Sequence, residues 1–160
     1  MPNWCANRLT VSGPKADLDS FRAKASCLPS KECGHEYPQP LGLCPRSFLG
    51  DPQHWFFPMR SEPDPEEPEH GLIVPVEGTT DDEEEPTPTL TYEYLTRWGP
   101  ADDVLKVMAL QHPALAFVNE YAEPLMDFSG REKFEGETVE EEMTGQARDS
   151  ELSAEAPFFY

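Results

Sequence analysis

Long apolar runs are missing from this sequence, and basic residues are scarce. No stretch approaches the ~20 consecutive apolar residues that a membrane-crossing helix requires, so no span is expected. The opening Met1-Pro2-Asn3-Trp4 has neither a basic n-region nor an apolar h-region, so no secretory signal is expected either. Only four cysteines are present, Cys5, Cys27, Cys33 and Cys44, and none forms a C-x2-C pair, so a zinc knuckle of the familiar spacing is excluded. Reduced thiols and a cytoplasmic location are the expectation. Gly34, Gly42 and Gly50 are too scattered for a phosphate-cradling loop. With 12 Lys/Arg against 31 Asp/Glu, direct binding to nucleic acid or to an anionic membrane is not expected.

What is there is acid, proline and aromatic rings. The net charge of −19 is unevenly spread: residues 1–60 carry seven Lys/Arg and five Asp/Glu, residues 61–160 five and 26. Hydrophobic residues are only 38% of the chain, yet nine Phe, five Tyr and three Trp can supply a core, so one domain with some loose segments is expected.

Residues 3–11 alternate, with Cys5, Asn7, Leu9 and Val11 on one face and Trp4, Ala6, Arg8 and Thr10 on the other, which predicts a strand. Gly13 as N-cap and Pro14 at the first helical position then open a helix, with Asp17 and Asp19 near its positive end. Leu18, Phe21 and Ala25 form its inward stripe, extended to Leu28, and Pro29 ends it. Prolines interrupt the segment that follows, but Leu41, Leu43, Phe48, Leu49 and Trp55-Phe56-Phe57 imply an insertion that folds back over the sheet or offers an apolar surface. Leu72 to Val76 is a candidate edge strand, since Pro75 cannot donate to a ladder. Asp81 to Glu85, five consecutive acids, reads as a solvated loop.

Residues 89–98 alternate again, with Leu90, Tyr92, Tyr94, Thr96 and Trp98 on the expected core face. Gly99-Pro100 repeats the helix-opening device, with Asp102 and Asp103 in the first turn and Val104, Leu105, Val107 and Met108 packing inward. In this repeat Leu18 and Phe21 correspond to Val104 and Val107. Leu115, Phe117 and Tyr121 continue as a strand. Met126, Phe128 and Phe134 suggest a further strand or hairpin turning at Ser129-Gly130.

Two strand–helix–strand halves predict an α+β, ferredoxin-like split β-α-β antiparallel sheet with both helices on one face. The expected domain runs over 1–139, with an irregular insertion at about 29–88 and an acidic flexible tail over 140–160.

The opening motif, Met1-Pro2-Asn3-Trp4-Cys5-x-Asn7-x-Leu9-x-Val11-x-Gly13, resembles that of a family of small phage- and plasmid-encoded proteins with a ferredoxin-like domain. Thr96-x-Trp98-Gly99-Pro100 and His112-Pro113-x-Leu115-x-Phe117-x3-Tyr121-x-Glu123-x3-Asp127-Phe128-x-Gly130 are similar to later parts of that family. The Trp-rich middle segment of many relatives is replaced here by Gln53-His54-Trp55-Phe56-Phe57 and acidic loops. The resemblance implies a fold and a mobile-element origin, and no particular activity.

Two chemistries compete for the candidate sites. Cys27, Cys33, His35 and Cys44 offer four N/S donors in a Pro-rich loop, a zinc-stabilised module or small enzyme being the alternative function, although unliganded thiols and no cofactor are the primary expectation. Cys5 lies on the inward face of a strand, where a thiol is inert. The acidic surface offers the other chemistry. Asp81, Asp82, Glu83, Glu84, Glu85, Glu135, Glu137, Glu140, Glu141 and Glu142 can meet Lys/Arg of a partner, with Trp55, Phe56 and Phe57 as apolar anchors. The expected function is therefore that of a non-enzymatic accessory protein in the host cytoplasm. It would bind and inhibit a host defence protein through a basic, nucleic-acid-binding surface, in the manner of an anti-CRISPR or anti-restriction nucleic-acid mimic.

Overall fold

The computed structural model describes residues 3–27, 39–43, 48–49, 57–58, 87–147 and 152. In chain order these hold β1 (Trp4–Ser12), α1 (Lys15–Ala25), β2 (Ser26–Cys27), β3 (Gln39–Leu43), β4 (Phe57–Pro58), β5 (Thr89–Arg97), α2 (Asp102–Gln111), β6 (Ala116–Glu123), β7 (Phe128–Glu135) and β8 (Thr138–Gly145). Strands β4-β5-β1-β6-β7-β8 lie in that order in one antiparallel sheet, and β2 and β3 pair separately. The first four positions are the split β-α-β order: β1 and the short β4 are separated by β5, which pairs with both. The fold is α+β and ferredoxin-like. The β7–β8 hairpin extends it by two strands beyond β6.

The period-2 alternation places Leu9 and Val11 of β1, Leu90, Tyr92 and Tyr94 of β5, and Phe117 and Phe134 of β6 and β7 in one core with both helices. Phe21 of α1 is its hub. Its ring meets Phe117 at 5.3 Å, Phe48 at 5.5 Å, Tyr92 at 6.2 Å and His112 at 5.3 Å, mostly edge-on as ring quadrupoles prefer. Burying one such ring contributes roughly 1.5–3 kcal/mol. Leu43 and Phe48, from the Pro-rich insertion, are also buried here, so part of that segment joins the core. The candidate strand at 72–76 lies outside the described residues.

The two helix starts differ by one residue. The carbonyl of Pro14 accepts from Leu18 N, so Pro14 itself caps α1, one position later than expected. The cap of α2 is Ala101, which follows Gly99-Pro100. This extra residue shifts the repeat. Leu18 and Phe21 correspond to the buried Leu105 and Met108, whereas Val107 is only partly buried. Gly13 is required where it stands: its φ is 152°, and a Cβ would meet Leu115 Cδ2 at 2.6 Å and the Ala114 carbonyl at 2.9 Å.

Two further expectations are corrected. Trp98 is not core. β5 ends at Arg97, Trp98 takes a φ of 71°, its N–H donates to the Asn3 carbonyl, and its ring is 62% exposed. Ser129-Gly130 is not a turn but the start of β7; the chain reverses at 124–127 instead. Gly130 is needed in the strand because the Tyr121 ring lies across it, leaving no room for a Cβ.

The domain boundary expected after 139 falls inside β8, which runs to Gly145 and pairs along its length with β7. Beyond it, Ala147 and Leu152 are buried with Ala6, Leu95 and Ala122, with Trp4 packed alongside. Those three strand residues face away from the helices, so the start of the expected tail covers part of the sheet's second face.

Candidate functional site

Of the sequence-predicted partner residues, the structure brings one group together. Glu135, Glu137, Glu140, Glu141 and Glu142 all lie on the β7–β8 hairpin and are exposed. A two-residue Gly136-Glu137 connection joins the strands, the short loop that suits an antiparallel pair. Glu140 and Glu142 sit opposite Lys133 and Arg131 on the face away from the helices, and Glu141 sits opposite Glu132 on the helix side. Lys133 also meets Glu135 at 2.9 Å, a half-exposed pair of the kind that contributes little to stability. Asp81 to Glu85, Trp55 and Phe56 lie outside the described residues, and Phe57 is described only as backbone of β4. Cys33, His35 and Cys44 are likewise outside, and Cys27 enters as backbone of β2.

A second group escaped the sequence reading. On the helix face of the sheet, at the end where α2 begins, apolar positions give way to a buried polar layer. Asn7, Thr96, Asn119, Glu123 and Glu132 are each at most 3% exposed. Tyr94 Oη donates to Asn119 Oδ1 at 3.3 Å, and Asn119 Nδ2 donates to Asn7 Oδ1 at 3.2 Å. Asn7 Nδ2 donates to Thr96 Oγ1 at 2.8 Å, and the Thr96 hydroxyl donates to the Gly99 carbonyl at 2.6 Å. One relay of four side chains thus ties β6, β1 and β5 to the turn that opens α2. The signal for it was present: polar residues recur at inward positions of otherwise apolar faces, and a buried polar group must find a partner.

Electrostatics in this layer favour neutral forms. Cys5 is fully buried, and desolvation, reinforced by the nearby Glu123 carboxylate, pushes its thiol up to about 12. That is the wrong direction for a nucleophile. Burial likewise raises Tyr94 and Tyr121. Glu132 is pushed up to about 8, by burial first and then by the Asp102 carboxylate. Glu123 instead accepts backbone N–H bonds from Leu125 and Met126, which fixes the turn between β6 and β7. His112, at the end of α2, packs its ring on Phe21 and Phe48, and burial, with Lys24 nearby, lowers its pKa. Among the described residues, no three His, Cys, Asp or Glu side chains are grouped to hold a metal ion, and no helix is long and apolar enough to cross a membrane.

The motif residues now have physical roles, and these roles are structural. Asn7 and Thr96 build the relay, Tyr121 covers Gly130, Glu123 holds its turn, and Phe117 fills the core. Sheet order, paired helices and motif together define a ferredoxin-like α+β domain. The family model described as "Ferredoxin-like domain in Api92-like protein" matches residues 77–157, just over half of the chain, and the chain belongs to that family. The match spans β5 through β8 and reaches past Leu152. No curated protein and no solved structure matches.

Proposed function

We propose that this is a non-enzymatic accessory protein of a phage or plasmid that binds a host protein through the acidic β7–β8 hairpin. The target is a protein with a basic, nucleic-acid-binding surface, in the host cytoplasm, and the consequence is inhibition of a defence complex. The observation that carries this reading is the exposed run Glu140-Glu141-Glu142 in β conformation. A strand rises ~3.4 Å per residue and its side chains alternate, so Glu140 and Glu142 stand ~6.8 Å apart on one face with Glu141 between them on the other. Counted over both faces, the axial charge density matches that of one strand of B-DNA, one charge per ~3.4 Å. Glu135 and Glu137 at the hairpin tip extend the run, and Arg131 and Lys133 offset it only in part. The acid excess of residues 61–160, including Asp81–Glu85, adds a long-range field that steers a cationic partner and is screened by salt. The mobile-element assignment rests on the sequence resemblance of the opening motif.

The deciding experiment is affinity capture from host lysate at low and high salt, run beside a variant carrying Glu140→Lys, Glu141→Lys and Glu142→Lys. Capture of a nucleic-acid-binding protein that is lost in high salt and lost in the variant supports the reading, as does release of the captured protein by added duplex DNA. Capture indifferent to salt or to charge reversal removes it.

A further inference from the structure

Beside the relay, the buried polar layer also holds a pair of carboxyl groups. Glu132 of β7 is 3% exposed and points into the helix side of the sheet. There it meets Asp102, in the first turn of α2, within hydrogen-bonding reach. Oε2 of Glu132 and Oδ1 of Asp102 are both buried and have no donor among the described residues. Two ionised carboxylates are acceptors only and cannot satisfy one another, whereas a carboxylic acid donates to a carboxylate. A single proton therefore supplies what both atoms lack.

We propose that Asp102 and Glu132 form a buried proton-binding site, in which one shared proton latches the N-terminal turn of α2 to β7 and its loss loosens that contact. Most of the groups around the pair favour retention of the proton. β1 contributes Cys5, β5 Tyr94, β6 Tyr121 and β8 Glu141, and none of these side chains is a cation. The hydrogen bond with Asn119 is the opposing influence. The positive end of α2 accommodates one negative charge, which the singly protonated pair retains, and a second would add repulsion in a desolvated space.

The sign of the pH dependence follows. The Glu132 carboxyl binds its proton more tightly in the folded chain, at about 8, than at the ordinary value of 4.5. Between those two values the folded state holds more protons than the unfolded state, so stability falls as pH rises. Each pH unit in that window raises the unfolding equilibrium constant by up to about tenfold, and the stabilisation is lost as pH passes the folded value.

The test is a set of urea unfolding curves across this window for the full chain, Glu132→Gln and Asp102→Asn, together with a carbon-13 titration of the Glu132 carboxyl in the folded wild type. Glu132→Gln keeps a donor but has no proton to lose, so its stability relative to wild type rises roughly 100-fold over two pH units inside the window. The carboxyl resonance titrates far above the usual Glu range. A Glu132 resonance that titrates in the ordinary carboxylate range overturns the proposal even if the variants do not fold. So does a Gln variant with the wild-type slope. Stabilisation of the wild type, but not of Glu132→Gln, by magnesium or calcium assigns the pair to a cation and overturns the shared proton as well.

Discussion

Asn7 and Thr96 lie 89 residues apart in sequence, and their side chains meet at 2.8 Å in the buried polar layer where α2 begins. Asn7 uses both ends of its amide: Nδ2 donates to Thr96 and to the Cys5 carbonyl at 2.9 Å, and Oδ1 accepts from Asn119. Thr96 passes the connection to Gly99, just before α2. Removal of either side chain leaves a buried polar atom unpartnered. A double-mutant cycle with Asn7→Ala and Thr96→Val, read by urea denaturation, is expected to give a coupling of about 1–2 kcal/mol. Additive losses would show that the two groups act separately.

Trp98 occupies the left-handed region at a φ of 71°, where a bulky side chain costs about 1–2 kcal/mol, and its exposed ring recovers little of that by burial. Trp98→Ala keeps the strain and loses the ring. Trp98→Gly loses the ring and the strain together. Thermal unfolding should find the Gly variant more stable than the Ala variant by about 1 kcal/mol; the reverse order would mean that the ring contributes packing its exposure does not reveal.

Leu152 closes the second face of the sheet against Ala6, Leu95 and Ala122. Leu152→Ala is expected to destabilise the domain by about 2–4 kcal/mol, as truncation of a buried Leu does. A neutral effect would return the segment after β8 to the role of a loose tail.

Cys5 is fully buried with its thiol pushed up to about 12. Its thiolate is almost absent at neutral pH, and alkylating reagents cannot reach it. Iodoacetamide labelling followed by peptide mass spectrometry should leave Cys5 unmodified in the native protein and modify it in urea. Native labelling at a rate near that of free cysteine would contradict the buried site.

The elements were legible where a local period carries them. Alternation over residues 3–11 and 89–98 identified β1 and β5, and the stripe Leu18, Phe21, Ala25 identified the inward face of α1. Boundaries were less so. Trp98 continues the alternation of β5 by one letter, yet a single dihedral turns it outward. The extra Ala101 moves the α2 register by one position, which pairwise comparison with α1 had hidden. Glu140 to Glu142 read as a solvated run because their charge says nothing of strand pairing; what makes them a strand is the backbone ladder to Arg131, Glu132 and Lys133.

From the sequence alone come the ferredoxin-like class, a helix after each Gly-Pro, the inward-facing Cys5 and the strongly acidic second part of the chain. These depend on side-chain period, on Gly-Pro geometry and on composition, all of which are local or additive. The tertiary structure alone decided that Asn7 meets Thr96, that Glu132 faces Asp102, and that Leu152 covers the back of the sheet. Such contacts depend on cross-strand register between segments far apart in the chain, and neighbouring letters carry no information about that register.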